Sequence, residues 1–478
     1  MELPRDIGTI HIIGVGGIGM SAIAEILHAK GFTVQGSDQK ESANVRRLRA
    51  RGIRVFVGHD PVNLVGARYV VISTAVQAGN PELDAARARG LPVIRRAEML
   101  AELMRLYSTV AVTGTHGKTT TTSLIAHVFA CAGLDPTVIT GGIINDWGPN
   151  ARLGKSPWMV VEADESDGTF IRIPSQFGVV TNIDPEHLDY FGSVENMHRE
   201  YETFIRNIPF YGAGVACIDH PVVAAMIERL GLRRDGRRLL TYGVSTGADL
   251  LLTGARQEGY SVLFTAELGA RVAGGARTIR DWRVPIPGRH NALNALAAIA
   301  VATEARIPDD VIRGAIESFS GVRRRFQLTG TWNGIAVFDD YAHHPVEIAA
   351  VLEAARAGAR GRVIAVLEPH RYSRVRDLYA DFCACLRDAD SVMLAPLYSA
   401  GERPIDGIDS KTLADGIRRA GHPSVVTVDG PDAVAALLRR HARPGDTVIV
   451  LGAGNSTEWA HQLPALLADE SKRLGAAV

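Results

Sequence analysis

The sequence predicts an α/β protein of three domains, each built around a mostly parallel sheet. A chain of 478 residues is too long for a single hydrophobic core. Short apolar strands alternate with helical stretches along most of the chain, and three of these strands lead directly into glycine-bearing turns, at 14–19, 114–117 and 452–454. Turns of this kind are typical of sheets that bind nucleotides. The predicted domains are 1–107, 108–324 and 325–478.

The first domain is predicted as a Rossmann-like parallel sheet. The apolar strand Thr9 to Ile13 runs into Gly14-Val-Gly-Gly-Ile-Gly19, a helix follows from Met20 to Lys30, and Asp38 closes the next strand. Such a turn lets a diphosphate approach a helix N-terminus. An NAD site and a purely structural turn remain alternatives at this point.

The central domain is predicted from the segment Val110 to Thr122, which tells most about this chain. A β-branched run enters Gly114-Thr-His-Gly-Lys118, and four threonines and a helix follow. Backbone N–H groups in such a loop point at anionic oxygens, lysine reaches the outer phosphates, and the threonine hydroxyl after it binds Mg²⁺. Only six of the 52 basic residues are lysine, so a lysine here indicates that a compact charge is required. Because the strict pattern would need glycine at Val112, this is a shortened loop in a P-loop ATPase-type α/β domain.

Two strand ends near this loop carry acids and histidine. Glu162-Ala-Asp-Glu-Ser-Asp167 follows one apolar strand, and Thr181-Asn-Ile-Asp-Pro-Glu-His187 follows the next. Four acids in six residues repel one another unless a cation lies among them, and Mg²⁺ prefers oxygen ligands. We therefore predict a metal–nucleotide centre, with a solvated acidic loop as the alternative.

The third domain is predicted as a Rossmann-like α/β domain, because strand–helix alternation restarts at Ile335. Asp339-Asp-Tyr-Ala-His-His344 follows one of its strands, and Glu368-Pro-His-Arg-Tyr-Ser-Arg374 follows another. Histidine and arginine at both strand ends suit an anionic or zwitterionic ligand beside a proton-transfer group. Three arginines at 323–325 mark the junction before this domain, and a solvated surface is the alternative role for them.

The composition is that of a soluble globular protein, with 46% hydrophobic and 22% charged residues and no net charge. This argues against a nucleic-acid or anionic-membrane partner. No apolar run reaches membrane-spanning length, no secretory signal is recognisable, and the four cysteines have no metal-ligand spacing. We therefore expect a cytoplasmic protein.

These motifs resemble those of the Mur ligases, the ATP-dependent amino-acid ligases of bacterial cell-wall synthesis. The segments beginning at Gly114, Glu162 and Thr181, together with Gly288-Arg-His-Asn291, occur in the order that this family uses, and the resemblance covers essentially the whole chain. The segments beginning at Gly14, Asp339 and Pro369 are similar to those of the alanine-adding branch.

The resemblance implies an N-terminal domain for a UDP-sugar, a central ATPase and a C-terminal lobe for the amino acid. It also implies the reaction: ATP phosphorylates the lactyl carboxylate of UDP-N-acetylmuramate, and L-alanine attacks the acyl phosphate, which makes a peptidoglycan precursor. The implied cofactors are ATP and Mg²⁺, with Mn²⁺ as a substitute, and we expect a monomer or weak homodimer.

The resemblance also assigns residues. Those matched to catalysis are Lys118, Glu165, His187 and His343. Those matched to ATP are Gly114, Thr115, His116, Gly117, Lys118, Thr119, Thr120 and Asn291. Those matched to the UDP-sugar are Gly16, Gly17, Gly19, Met20, Ser37, Asp38, Ser73, Thr74 and Arg324. Those matched to the amino acid are Tyr341, His343, His370, Arg371 and Arg374. Those matched to the metal are Thr119, Glu165 and His187.

The chain departs from the family pattern in one respect that concerns the metal. Many Mur ligases carry a carbamylated lysine beside the second Mg²⁺, but here no lysine occurs between Lys155 and Lys411. Three rival functions remain: an NAD-dependent oxidoreductase, a ligase that joins a preformed murein tripeptide to the same sugar nucleotide, and a non-catalytic UDP-sugar sensor.

Overall fold

The computed structural model describes residues 7–73, 75–145, 147, 151–166 and 168–469. It confirms the α/β fold class, with mostly parallel strands in three sheets. The chain forms two compact units, and each is described by itself. The first contains residues 1–251, 267–277 and 296–315, and the second contains 252–266, 278–295 and 316–478. The domain limits predicted at 107/108 and 324/325 remain predictions.

The strands, numbered along the chain, are β1 (Thr9–Ile13), β2 (Val34–Asp38), β3 (Arg54–Val57), β4 (Ala67–Ile72), β5 (Val93–Arg95), β6 (Ser108–Thr113), β7 (Thr137–Ile139), β8 (Ala151–Arg152), β9 (Trp158–Glu162), β10 (Phe177–Val180), β11 (Ala213–Cys217), β12 (Leu239–Gly243), β13 (Leu250–Glu258), β14 (Ser261–Leu268), β15 (Arg277–Val284), β16 (Gln327–Trp332), β17 (Ile335–Asp340), β18 (Val363–Leu367), β19 (Ser391–Leu394), β20 (Val425–Thr427) and β21 (Thr447–Leu451).

The α-helices are α1 (Ile18–Ala29), α2 (Ala43–Ala50), α3 (Pro81–Ala88), α4 (Arg96–Met104), α5 (Lys118–Cys131), α6 (Leu188–Phe191), α7 (Val194–Arg206), α8 (Pro221–Leu230), α9 (Arg289–Glu304), α10 (Asp309–Glu317), α11 (Pro345–Gly358), α12 (Tyr372–Asp377), α13 (Tyr379–Ala384), α14 (Ser410–Arg419), α15 (Pro431–His441) and α16 (Ser456–Ala468). Among the described residues there are also two 3-10 helices, Pro61–Leu64 and Thr169–Arg172. None of the helices in the described part of the chain has the length and apolar character needed to cross a membrane.

The N-terminal sheet has five parallel strands in the order β3-β2-β1-β4-β5. The chain proceeds from β1 to one side of the sheet through β2, and later returns to the other side through β4. The turn after β1 therefore lies where the strand order reverses, which is the usual ligand position in open α/β sheets.

The central sheet has ten strands in the order β15-β14-β13-β12-β11-β10-β6-β9-β7-β8. Strand β6 pairs in parallel with β10 on one side and β9 on the other, and β11 continues the parallel run beyond β10. The carboxyl ends of these four strands therefore share one edge. Helix α5 packs on β6 and β9 and is buried from Thr119 to Phe129, which fixes its N-terminus at that edge.

The strands between Leu239 and Val284 pair in two ways. β12 pairs with β13 in parallel. The antiparallel part begins only at the two-residue connection between β13 and β14, a length that antiparallel but not parallel neighbours allow.

The C-terminal sheet lies in the second unit and has the order β16-β17-β21-β18-β19-β20. Only the edge strand β16 is antiparallel to its neighbour, and the other pairs are parallel. Separate clusters of buried hydrophobic residues cover the sheet, one of them built with Leu352 and Phe382 and the other with Leu438 and Leu463. Because β17, β21 and β18 are adjacent, the residues that follow them also meet at one edge.

Candidate active site

The central glycine turn is shaped by its contact with the neighbouring strand end. Gly114 has φ +132°, and a Cβ on it would run into the hydroxyl of Thr181 and the backbone of Asn182. Gly117, at φ +81°, is the N-cap residue of α5. Glycine suits both positions because L side chains rarely adopt these φ values.

Hydrogen bonds fasten the same turn to the end of β10. The Asn182 side chain accepts from the backbone N–H of His116 at 2.7 Å and donates to the His116 carbonyl at 2.9 Å. The Thr181 hydroxyl donates to that carbonyl at 2.7 Å, and the Thr115 N–H donates to the Asn182 carbonyl at 3.2 Å. These hydrogen bonds fix the shape of the loop.

Lys118, Glu165 and His187 lie together, as predicted. The Lys118 ammonium donates to Oε1 of Glu165 at 2.8 Å and to the carbonyls of Gly114 and Thr115 at 2.6 and 3.0 Å. Nε2 of His187 lies 3.9 Å from the same Glu165 oxygen. A phosphate arriving at the loop would replace these internal acceptors around the ammonium.

Electrostatics keep this lysine charged. Burial by itself would lower the pKa of Lys118, but the carboxylates of Glu165, Glu162 and Asp164 together outweigh burial, so the pKa is raised. Burial raises the pKa of Glu165, and nearby Asp164 adds to this effect against the opposing charge of Lys118. The site is thus a partly desolvated cluster in which a further cation would relieve the repulsion between the two acids.

A metal ion fits this cluster. Ligand atoms of Asp164, Glu165 and His187 lie within 4.8 Å of one another. Oε2 of Glu165 is buried and has no hydrogen-bonding partner among the residues that the structure describes. Carboxylate oxygens with one imidazole nitrogen suit Mg²⁺ or Mn²⁺.

The loop threonine Thr119 contacts Glu162. The Thr119 hydroxyl donates to Oε1 of Glu162 at 3.0 Å, and Oε2 of Glu162 accepts from the Thr140 hydroxyl and the Gly141 N–H. Sequence reasoning placed Glu162 in the acidic stretch but did not single it out. The signal was available, because Glu162 is the last residue of β9 and β9 pairs directly with β6.

The other two residues matched to ATP lie on helices. Thr120 is buried in the first turn of α5. Asn291 belongs to the second unit, where it is buried in the first turn of α9 and donates to the Pro287 carbonyl at 2.6 Å. The carbonyl of its own side chain accepts from Asn294 at 3.1 Å.

The N-terminal glycine turn is partly filled by a carboxylate of the chain itself. Oδ2 of Asp38 accepts the Gly16 N–H at 2.8 Å, and Asn44 donates to the Gly16 carbonyl at 2.8 Å. The Gly17 N–H donates to the Gly14 carbonyl at 3.1 Å. Asp38 therefore fixes the shape of the turn, and it places negative charge where the prediction puts a diphosphate.

The remaining residues matched to the UDP-sugar vary in access. Met20 is buried in the core, and the Ser37 hydroxyl donates to the buried carboxylate of Glu82. Gly19 faces the guanidinium of Arg96. Ser73 is half-buried directly after β4, and Thr74 lies outside the described residues.

In the second unit, Arg324 and Tyr341 form a stacked pair. The guanidinium of Arg324 lies 4.7 Å from the centre of the Tyr341 ring, and its Nη2 donates to the Gly452 carbonyl at 2.8 Å. The Tyr341 N–H donates to the Arg324 carbonyl at 2.7 Å. This arrangement ties the start of the C-terminal sheet to the end of β21.

The predicted amino-acid residues cluster at the same edge of this sheet. The rings of His343 and His370 lie 5.5 Å apart, and Arg374 contacts Nδ1 of His370 at 3.3 Å. Arg371 is the N-cap residue of α12 and has φ +68°. Burial lowers the pKa of His370 to about 4, helped by the positive charges of His343, Arg374 and Arg371. His370 is thus uncharged near neutral pH beside two guanidinium groups.

One residue of this cluster was missed by the sequence analysis. Tyr398 stacks on His370 with ring centres 5.4 Å apart, and its carbonyl accepts the Arg371 N–H at 2.8 Å. The available signal was its place after β19, a third strand end at this edge.

The C-terminal glycine turn is closed by an internal carboxylate. Glu368, which follows β18, accepts the N–H groups of Gly454 and Asn455 at 2.9 and 3.0 Å. Those amides are therefore already occupied by an anion of the chain itself.

Comparison with family models agrees with this architecture. The model described as Mur ligase family, catalytic domain, matches residues 9–108, the Mur ligase middle domain matches 112–302, and the Mur ligase, glutamate ligase domain, matches 324–454.

Similar proteins match over nearly the full length. The UDP-N-acetylmuramate–L-alanine ligase of Parvibaculum lavamentivorans is 56% identical over 99% of this chain and 94% of its own, and that of Chelativorans sp. is 54% identical over 97% and 99%. Among solved structures, the UDP-N-acetylmuramate-alanine ligase MurC of Thermotoga maritima has a TM-score of 0.76 at 26% identity, covering 98% and 100% of the two chains. A murein peptide ligase of Psychrobacter arcticus shares the fold, with a TM-score of 0.64 at 23% identity over 97% and 99%. With three family models spanning its length and relatives above 50% identity, the chain belongs to the Mur ligase family.

Proposed function

We propose that this protein is an ATP-dependent ligase that joins L-alanine to the lactyl carboxylate of UDP-N-acetylmuramate, forming ADP, in peptidoglycan precursor synthesis. The observation that carries the proposal is the meeting of Lys118, Glu165 and His187 at the phosphate loop of a chain more than half identical to alanine ligases. The protein works in the cytoplasm, as a monomer or weak homodimer.

ATP is the substrate for which the central edge is arranged. The loop amides and Lys118 hold its phosphates. The family pattern assigns Asn291 to the adenine. Mg²⁺, or Mn²⁺ in its place, would be held by Thr119, Glu165 and His187 with Glu162 and Asp164 close by, and it would neutralise charge on the phosphates. Burial of Glu165 and of the loop threonines supports a site from which most water is excluded.

The reaction needs a phosphorylated intermediate because a carboxylate alone loses oxide very slowly. The lactyl carboxylate takes the terminal phosphoryl group of ATP, and Lys118 stabilises the charge that develops. The alanine amine then attacks the acyl carbon, and phosphate leaves with the bonding electrons. The UDP-sugar is held at the N-terminal turn, by Gly16, Gly17 and neighbouring residues.

The C-terminal cluster accounts for the amino acid. Arg371 and Arg374 provide positive charge for the alanine carboxylate. An uncharged His370 does not repel the alanine ammonium and can accept a hydrogen bond from it. We assign His343, whose ring lies beside that of His370, to take the proton that the ammonium must lose before the amine attacks.

Phosphate release tests the proposal. We expect release only when ATP, UDP-N-acetylmuramate and L-alanine are all present with Mg²⁺. The acceptor panel should include serine, glycine and a murein tripeptide. Efficient use of the tripeptide but not of L-alanine would contradict the proposal, and no release with any acceptor would favour a non-catalytic sensor.

A further inference from the structure

Three side chains form a bridge along the loop edge of the first unit. His116, Asp184 and His220 follow β6, β10 and β11, which are consecutive neighbours in the central sheet. Nε2 of His116 lies 3.4 Å from Oδ2 of Asp184, and Nε2 of His220 lies 3.2 Å from Oδ1 of the same carboxylate. The bridge therefore runs from the phosphate loop to a strand end two strands away.

The central carboxylate is ionised and the far histidine donates to it. Hydrogen bonding and charge from His116 and His220 hold the pKa of Asp184 well below its usual range. An ionised carboxylate only accepts hydrogen bonds, so Nε2 of His220 carries the hydrogen. Nδ1 of His220 is buried, and no described residue offers it a hydrogen-bonding partner, so the hydrogen bond from Nε2 to Asp184 is the one that orients this imidazole.

Asp184 also grips the loop through its backbone. Its N–H donates to the Thr115 hydroxyl at 2.8 Å, and that hydroxyl donates to the Asp184 carbonyl at 3.1 Å. Asp184 therefore contacts two successive loop residues, Thr115 with its main chain and His116 with its side chain. A shift of Asp184 would move both.

His220 is itself held in place from the other side. The carboxylate of the preceding Asp219 accepts the N–H groups of Val244 and Ser245, each at 2.9 Å, which binds this segment to the end of β12. His220 is also the N-cap residue of α8, and its carbonyl accepts the Ala224 N–H at 2.9 Å. The imidazole of His220 is therefore held in a fixed position, from which its hydrogen bond keeps the Asp184 carboxylate in place.

We propose that His220 is a positioning residue for the nucleotide, which acts through Asp184 to hold Thr115 and His116 in the arrangement that receives the phosphates of ATP. This inference rests on the proposed function, because the loop must take ATP. It adds a residue that no sequence motif of the site contains.

The first experiment compares His220→Ala with His220→Gln, because glutamine keeps an N–H donor at similar reach. We expect the ATP KM and the ATP dissociation constant of His220→Ala to rise about five- to twentyfold, as expected for a lost hydrogen bond to a charged group. The KM values for UDP-N-acetylmuramate and L-alanine should stay within about twofold of wild type, and His220→Gln should recover most of the loss. His441→Ala, at an exposed position at the end of α15, is the matched control.

A double-mutant cycle shows whether the effect passes through Asp184. ATP binding to the double variant Asp184→Asn/His220→Ala should be no weaker than binding to Asp184→Asn alone, within about twofold. Independent, multiplying losses would overturn the inference. A uniform rise in all three KM values without rescue by glutamine would do the same, since it indicates a general folding defect. Unchanged ATP affinity in His220→Ala, with wild type active, refutes this inference alone. Absence of ATP binding in wild type refutes the proposed function as well.

Discussion

The glycine turns at 114–117 and 452–454 are built alike but present opposite charge. Each follows a buried parallel strand, contains glycine at positive φ and leads into a helix. In the central turn the lysine that opens the helix points its ammonium back at the loop. In the C-terminal turn Glu368 already occupies two amides. The glycine pattern therefore builds an anion cradle, and the residue at the next strand end decides whether an external anion can enter.

The N-terminal turn lies between these two cases. Asp38 accepts the Gly16 N–H of this turn and, outside the turn, the Lys40 N–H, and the turn leads into the long helix α1. A diphosphate can use the helix N-terminus there while one amide stays with the protein.

The largest effect is expected from removing the lysine that follows the central turn at 114–117. Lys118→Ala should lower kcat about a thousandfold or more, because the charge on the transferring phosphoryl group loses its partner. UDP-sugar binding, measured by calorimetry, should survive. Lys155→Ala, at an exposed position, is the control. If Lys118→Ala lost both turnover and UDP-sugar binding, the central turn and the N-terminal turn would not bind separate ligands as proposed.

A second test changes Glu165, the carboxylate that accepts a hydrogen bond from Lys118 at the central turn. Glu165→Gln should lower kcat about a hundredfold, and raised Mg²⁺ should restore part of it, because the variant keeps the shape but loses a charged ligand. Turnover measured against Mg²⁺ concentration checks this, with the exposed Glu258→Gln as control. A wild-type Mg²⁺ requirement in Glu165→Gln would exclude this residue as a metal ligand.

A third test concerns the C-terminal sheet, where Glu368 already occupies the amides of the turn at 452–454 and an anion must bind to side chains instead. Arg371→Ala should raise the KM for L-alanine about tenfold or more and leave the KM for ATP within about twofold, because here side chains, not loop amides, meet the carboxylate. Arg376→Ala, exposed on the same helix, is the matched control. An unchanged alanine KM refutes the assignment.

The smallest effect on turnover is expected from changing Glu368, which occupies the amides of the C-terminal turn at 452–454. Glu368→Gln keeps the size of the side chain but leaves one amide facing an NH₂ group in a buried site. We expect the free energy of unfolding to fall by about 1–3 kcal/mol, with the KM for ATP unchanged. Thermal unfolding of the variant beside wild type measures this. A raised ATP KM would show that this turn contributes to nucleotide binding after all.

Much of the fold is readable from the sequence where strands are uninterrupted apolar runs. β1 has the predicted bounds, Thr9 to Ile13, and β2 ends at Asp38 as predicted. Strand β2 also contains Ser37, a polar residue that is fully buried where it hydrogen-bonds to Glu82, 45 positions away. The hydropathy of the sequence cannot predict a hydrogen-bonding partner so far away along the chain.

The candidate site likewise has a part that the sequence predicts and a part that it does not. Lys118, Glu165 and His187 are predictable as neighbours because the ends of adjacent parallel strands must meet. The closure of the other turns is not, because Asp38 and Glu368 bond to amides 22 and 86 positions away. Which carboxylate reaches which amide depends on how strands pair and on side-chain direction, and the local pattern contains neither.

The crowding at Gly114 has a consequence for antibacterial chemistry. No side chain fits there without expelling the loop from its seat against Thr181 and Asn182. A compound that packs on the bare backbone of Gly114 would therefore leave bacteria few routes to resistance at that contact, because a substitution that blocks the drug also disables its target.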